Sequence, residues 1–210
     1  MRIVFPLYPG FTALDAIGPY EVLSRLPGAE VVFAAAEPGP VAADTGTLTV
    51  LAEAALADIT GCDVVVVPGG PGCVAAGQDP AYTGWLARVH PETRWTASVC
   101  SGSLLLGAAG ILDGLPATSH WAVTDVLPMF GAIPTAQRVV FTGKIVTAAG
   151  VASGIDMALS LAAELADRET AESIQLFIEY APQPPFATGS PAEAPAPMVE
   201  RVREQVLGAV

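Results

Sequence analysis

Arg94-Trp-Thr-Ala-Ser-Val-Cys-Ser-Gly-Ser-Leu-Leu-Leu-Gly-Ala-Ala-Gly110 changes character at its middle. Trp95 to Val99 has the composition of a buried strand. Ser103 to Ala109 reads as an apolar helix, with Gly110 at the usual position just past its end. Between them Cys100-Ser101-Gly102 makes a bend with a nucleophile on it, the layout of a nucleophile elbow. A sulfur held there projects from the carboxyl edge of a sheet at a helix N-terminus. The helix dipole and the free N–H groups then favour thiolate over thiol. A structural cysteine packing a helix on a sheet has the same local sequence. The rest of the chain has to decide between them.

Strand and helix alternate in both directions from this bend. Asp63-Val-Val-Val-Val67 is the most central strand candidate, and it runs into Pro68-Gly-Gly-Pro-Gly72. Arg2–Leu7 and Glu30–Ala36 are further strands, near-continuous apolar runs of the kind that parallel sheets bury on both faces. Residues 40–51 read as a peripheral hairpin around Asp44-Thr45-Gly46. Pro80–Val89 is helical, with Trp85 and Leu86 inward. Beyond the elbow come a short strand at Ala117–Ser119 and a helix at Trp121–Met129. Gln137–Phe141 and Lys144–Ala148 form an edge hairpin around Thr142-Gly143. Ile155–Leu165 and Asp167–Glu179 are helices. The pattern predicts an α/β fold with a mostly parallel sheet and helices on both faces. Ala181–Pro197 holds six prolines and reads as an extended surface segment. Met198–Leu207 is an amphipathic helix.

At 210 residues the chain is one domain, or one domain with a trailing segment. No apolar run reaches the roughly 18–20 residues that cross a membrane. Met1 to Leu7 reads as a first strand rather than a signal peptide, so a cytoplasmic location is expected. Nine Lys+Arg against 21 Asp+Glu give a net charge of −12. Such a surface repels nucleic acid and anionic lipid, and it suits a neutral small-molecule partner. Cys62, Cys73 and Cys100 match no disulfide or zinc pattern, and His90 and His120 are the only imidazoles. A structural metal is not expected, and Cys62 and Cys73 are taken as structural.

The candidate chemistry lies at predicted strand ends. Phe11-Thr-Ala-Leu-Asp-Ala-Ile-Gly-Pro19 reads as an apolar loop before a helix from Pro19 to Arg25. Its Asp15 is either an acid of the site or an ordinary cap-region acid. The Pro68–Gly72 loop lacks the spacing of a phosphate-binding loop, and it is read as a nest of main-chain donors. His120 is a base near Cys100 or, the favoured reading, a histidine satisfied by backbone. Asp156 is explained by the helix dipole. Right-handed crossovers gather the Asp15 loop, the glycine loop and the elbow along one sheet edge, where one pocket can hold all three. Asp15 is then expected to be protonated and to donate to a Cys100 thiolate, its own pKa raised and the thiol's lowered.

Val66-Val-Pro-Gly-Gly-Pro-Gly72, Ser98-Val-Cys-Ser-Gly-Ser103, Ala117-Thr-Ser-His-Trp121 and Gly150-Val-Ala-Ser-Gly-Ile-Asp156 resemble the signatures of the ThiJ/PfpI superfamily. Within it the chain is most similar to the isonitrile hydratase family, essentially end to end, including Phe11–Pro19 and Glu179-Tyr-Ala-Pro-Gln-Pro-Pro-Phe186. The resemblance implies a flavodoxin-like three-layer sandwich, like that of class I glutamine amidotransferases. It implies a domain over 1–180, with the proline-rich segment and last helix of 181–210 packed on it. It further implies a homodimer and no cofactor. Cys100 takes the place of the family's nucleophile and Asp15 that of its acid. Gly69, Gly70, Ser101 and Gly150 fall in its oxyanion and substrate-binding loops. The residue after the nucleophile, usually Thr in the family, is Ser101 here. Peptidases of the superfamily place His at that position, which argues against a Cys-His peptidase. The activity implied is hydration of an isonitrile to the N-substituted formamide through a Cys100 thioimidate. Another Cys hydrolase, amidase or deglycase of the superfamily, or a ligand or redox sensor, remains open at this point.

Overall fold

The computed structural model describes residues 1–208. The strands are β1 Arg2–Pro6, β2 Glu30–Ala35, β3 Gly39–Ala42, β4 Thr49–Ala52, β5 Ala54–Ala55, β6 Val64–Val67, β7 Trp95–Val99, β8 Pro116–Ala117, β9 Ile133–Pro134, β10 Val139–Thr142 and β11 Ile145–Ala148. The α-helices are α1 Ala13–Leu23, α2 Cys73–Gln78, α3 Pro80–Val89, α4 Gly102–Ala108, α5 Ser153–Leu165, α6 Arg168–Phe177 and α7 Ala196–Leu207. None of the described helices is long and apolar enough to cross a membrane.

All four valines of β6 are buried, so this strand needs a neighbour on each edge and cover on each face. It gets both. Among the described residues the main sheet has the order β10-β11-β7-β6-β1-β2-β5, with β6 at its centre. Every pairing is parallel except β10 with β11, the expected edge hairpin. From β1 the chain steps outward to β2, and from β6 it steps the other way to β7. Right-handed crossovers in opposite directions put their helices on opposite faces. Accordingly α1, α5 and α6 pack together, while α2, α3 and α4 form a second group. The reversal lies between β1 and β6. The crevice outside the carboxyl ends of strands at such a switch point is where open α/β sheets bind ligands.

Three sequence expectations need correction. Residues 13–18 are helix, not loop, and Pro19 lies inside α1 rather than at its start. An interior proline forgoes a backbone hydrogen bond at a cost of about 3 kcal/mol. Packing offsets it: Pro19 is buried, and α5 approaches so closely that a Cβ on Gly154 would lie 3.2 Å from Pro19 Cγ. Second, the stretch expected as a helix over Trp121–Met129 is a 3₁₀ turn at Thr124–Phe130 with Pro128 inside it, since proline cannot supply an interior α-helical N–H. Third, β3 and β4 pair as expected, but their tip is not peripheral. Asp44 N–H donates to Phe11 O at 2.9 Å, and Thr12 Oγ1 donates to Asp44 Oδ2 at 2.7 Å. Asp156 lies in the first turn of α5, as expected, and it also pairs with Arg138 and accepts from Tyr180 OH at 3.0 Å.

The start of α4 runs close against the end of β6. A Cβ on Gly102 would lie 2.3 Å from Val67 O and 2.8 Å from Pro68 O, both backbone atoms that cannot step aside. Gly102→Ala is therefore expected to destabilise the fold by about 1–3 kcal/mol, the cost of overpacking. The midpoint of urea unfolding, with the slope unchanged, measures it.

Candidate active site

Cys100 occupies the bend between β7 and α4 with φ 58°, a left-handed conformation that costs a non-glycine residue about 1–2 kcal/mol. Four hydrogen bonds hold it there. Its N–H is shared between Ala148 O at 3.1 Å and Ala149 O at 3.0 Å. Its carbonyl accepts from Ser103 Oγ at 3.2 Å and Ser119 Oγ at 3.0 Å. Backbone strain of this kind persists only where the surrounding structure over-determines it. The sulfur takes main-chain N–H groups from Ser101 and Val151 and faces the Asp15 carboxyl.

Asp15 comes from the first turn of α1 and is fully buried. Gly69 N–H donates to its Oδ2 at 2.9 Å, whereas Oδ1 is buried with no hydrogen-bond partner. The Cys100 thiol lies beside the carboxyl and favours its ionised form. Burial lifts the carboxyl pKa from 3.8 to about 7, with a smaller push from Asp44 and partial opposition from the Gly69 N–H and the thiol. Burial also lifts the Cys100 thiol. The Asp15 charge adds to this, and the Ser101 and Val151 N–H groups only partly counter it. The expected raised acid is present, while the expected lowering of the thiol is corrected: desolvation of the sulfur outweighs the donors around it. The two groups titrate as a pair. It loses a first proton near pH 7 and then holds one proton and one negative charge between carboxyl and sulfur.

The glycine loop supports this pair from behind. A Cβ on Gly69 would lie 2.5 Å from Ser101 N and 2.9 Å from Asp15 Oδ2. Gly70, with φ 131°, donates its N–H to Ser101 Oγ at 2.9 Å. The donors expected to face a ligand from Gly69 and Gly70 are thus engaged with Asp15 and Ser101. Gly150 accommodates His120, since a Cβ there would lie 2.6 Å from His120 Cδ2. The main-chain donor reaching the sulfur from this loop belongs to Val151, which the sequence reading missed. The signal for it was a loop ending the strand beside β7. His120 accepts from Ala122 N–H through Nδ1 at 3.2 Å, so a neutral ring carries its proton on Nε2. Burial lowers its pKa. It is satisfied by backbone, as favoured, and it also lines the cavity beside Cys100.

That cavity has a volume of about 320 Å³. Cys100, Ser101, Gly70 and Pro71 bound it on the sheet side, and His120, Val123 and Val151 flank them. Thr12 and Asp44 close another side, and Val202, Gln205 and Val206 come from α7. No Lys or Arg lines it. Cys73 is buried beside Ser101, and Cys62 is half-buried elsewhere. Among the described residues no cluster of three His, Cys, Asp or Glu could hold a metal ion.

Comparison with known proteins places the architecture. Over 205 residues the chain is 42% identical to the isonitrile hydratase of Pseudomonas putida, covering 98% of this chain and 90% of that protein. A solved ThiJ/PfpI family protein from Pseudomonas syringae superposes with a TM-score of 0.95 at 41% identity, covering 99% of this chain and 86% of the other. DJ-1beta of Drosophila melanogaster superposes with a TM-score of 0.77 at 25% identity, covering 86% and 98%. Residues 1–164 match the DJ-1/PfpI family itself. With an elbow cysteine at the switch point of this sheet and that match over most of its length, the chain belongs to the DJ-1/PfpI family.

Proposed function

We propose that the chain hydrates isonitriles to N-substituted formamides, with Cys100 as nucleophile and Asp15 as acid and base. The observation that carries this is the buried Asp15 carboxyl against the Cys100 thiol at a small cavity with no cationic side chain. The near-complete alignment with the P. putida isonitrile hydratase supports it.

The reactive form of the pair keeps the proton on Asp15 and the charge on sulfur, where the Ser101 and Val151 N–H groups meet it. The sulfur lone pair attacks the terminal carbon of R–N≡C, and Asp15 delivers its proton to that same carbon. The product is a thioimidate, R–N=CH–S–Cys100. Water then adds to this carbon. One of its protons ends on nitrogen, the other returns to Asp15, and the thiolate leaves as R–NH–CHO departs. Two modest barriers replace one difficult hydration. Gly69 and Gly70 act here by orienting Asp15 and Ser101, and Gly150 by giving His120 its place.

Cys100→Ala is expected to abolish formamide production, and Asp15→Asn to lower kcat by about 10²–10⁴-fold, the usual worth of a positioned acid-base group. Mass spectrometry of the formamide measures both. A protein with reduced Cys100 that turns over neither an aliphatic nor an aromatic isonitrile sinks the proposal.

The reactive pair exists only after its first proton has left. Activity is therefore expected to rise with pH through about 7 and then level off. Stability moves the other way. Asp15 holds its proton more tightly folded than unfolded, so on its account folding stability falls as pH rises from about 4 to about 7. Asp15→Asn is expected to lose this slope. Urea unfolding of both proteins at pH 5 and pH 8 shows it, and parallel pH profiles contradict the raised carboxyl.

A second copy of the chain is the proposed partner. Leu176 and Phe177 stand 81% and 73% exposed at the end of α6, beside an apolar hollow lined by Leu14, Ile17 and Ile155. Surfaces of this kind are covered in assemblies. Sedimentation is expected to show a dimer that Phe177→Glu weakens. A nucleophilic thiol works only where it stays reduced, which accords with the cytoplasmic location expected above.

A further inference from the structure

The cavity over Cys100 is completed by a part of the chain that lies outside the family match, which ends at residue 164. No regular element forms over 181–195, and α7 follows. Val202 and Val206 are one turn apart on the same face of α7, half-buried, and both line the cavity with Val123 and Val151. The helix leans on the segment that follows His120. The Arg203 guanidinium lies 5.2 Å from the centre of the Trp121 ring, and its Nη1 is 3.6 Å from Asp125 Oδ2. The chemistry and the cavity's outer wall thus come from different parts of the sequence.

We propose that α7 selects the substrate: Val202 and Val206 receive the N-substituent of the isonitrile and favour a compact, uncharged hydrocarbon group. This rests on the hydratase reading of Cys100. An isonitrile is linear from its terminal carbon through nitrogen to the substituent. Once that carbon meets the sulfur, the substituent must extend away from Cys100, across the cavity. Four valines offer it apolar contact. At about 320 Å³ the space is at the low end for small-molecule sites, which limits the group to roughly one ring or a branched alkyl. A carboxylate on the substituent would be desolvated near Asp44 with no cation to meet it.

Full-length Val206→Phe and Val206→Ala test this in two assays. The first is hydration of methyl and cyclohexyl isonitrile. The second is the rate at which N-methylmaleimide and N-cyclohexylmaleimide label Cys100, read by peptide mass spectrometry, which needs no hydratase activity. Filling the wall with Phe is expected to lower the cyclohexyl-to-methyl ratio of kcat/KM, and of labelling rate, by about tenfold, the discrimination typical of a changed apolar pocket. Ala is expected to raise both ratios, while Glu200→Ala, exposed on α7, leaves them at the wild-type value. Unchanged ratios, or equal losses for both substituents, overturn the wall. If the wild-type protein hydrates neither isonitrile yet its labelling ratio shifts as expected, the hydratase reading falls and the wall stands. 2-Isocyanoacetate hydrated as well as its methyl ester would overturn the preference for uncharged groups.

Discussion

A carboxyl buried beside a thiol is the constraint around which the sheet edge is built. Asp15 has no exposed surface, and a buried ionised carboxylate without partners is costly. The Gly69 N–H and the Cys100 thiol meet it, and they do so only because β1, β6 and β7 are adjacent and end together. Since both groups are pushed toward their protonated forms, the pair carries one charge rather than two over a wide span of pH. That shared proton binds the buried thiol and the buried carboxyl into one titrating pair.

The backbone around the pair is held as tightly as the side chains. The left-handed Cys100 is tied to β11 through its N–H, to Ser103 and to Ser119. The glycines at 69, 70 and 102 lie where a Cβ would meet backbone or the acid itself. Their service to the site is close approach rather than a ring of free donors. The two N–H groups that reach the sulfur come instead from Ser101 and Val151, the residue after Cys100 and a loop some fifty residues further on.

Most of the fold was legible because its signals are local. Four consecutive valines need cover on both faces, a Thr-Gly turn joins two short strands, and the glycine after α4 ends a helix. The misreadings came where tertiary packing overrode a local rule. Pro19 suits a helix start through its missing N–H, yet contact with α5 keeps it in the helix interior. The 121–130 segment has helical composition, but Pro128 and the packing of Phe130 against Gly107 leave it a 3₁₀ turn. The site divides in the same way. Cys100 and Asp15 were visible as a nucleophile on a bend and an acid in an apolar stretch. Asp44, Val151, Val202 and Val206 had no local mark, because each reaches the cavity through the folding of an element remote from the elbow.

The sequence by itself determined the alternation of strands and helices and the bend that carries Cys100, since these follow from short-range periodicity, turn chemistry and residue type. Only the tertiary structure decided the order of the strands about β6, the burial that raises both members of the pair, and the wall that α7 adds over the thiol. Desolvation and shape depend on which distant segments pack together, and no local pattern records that.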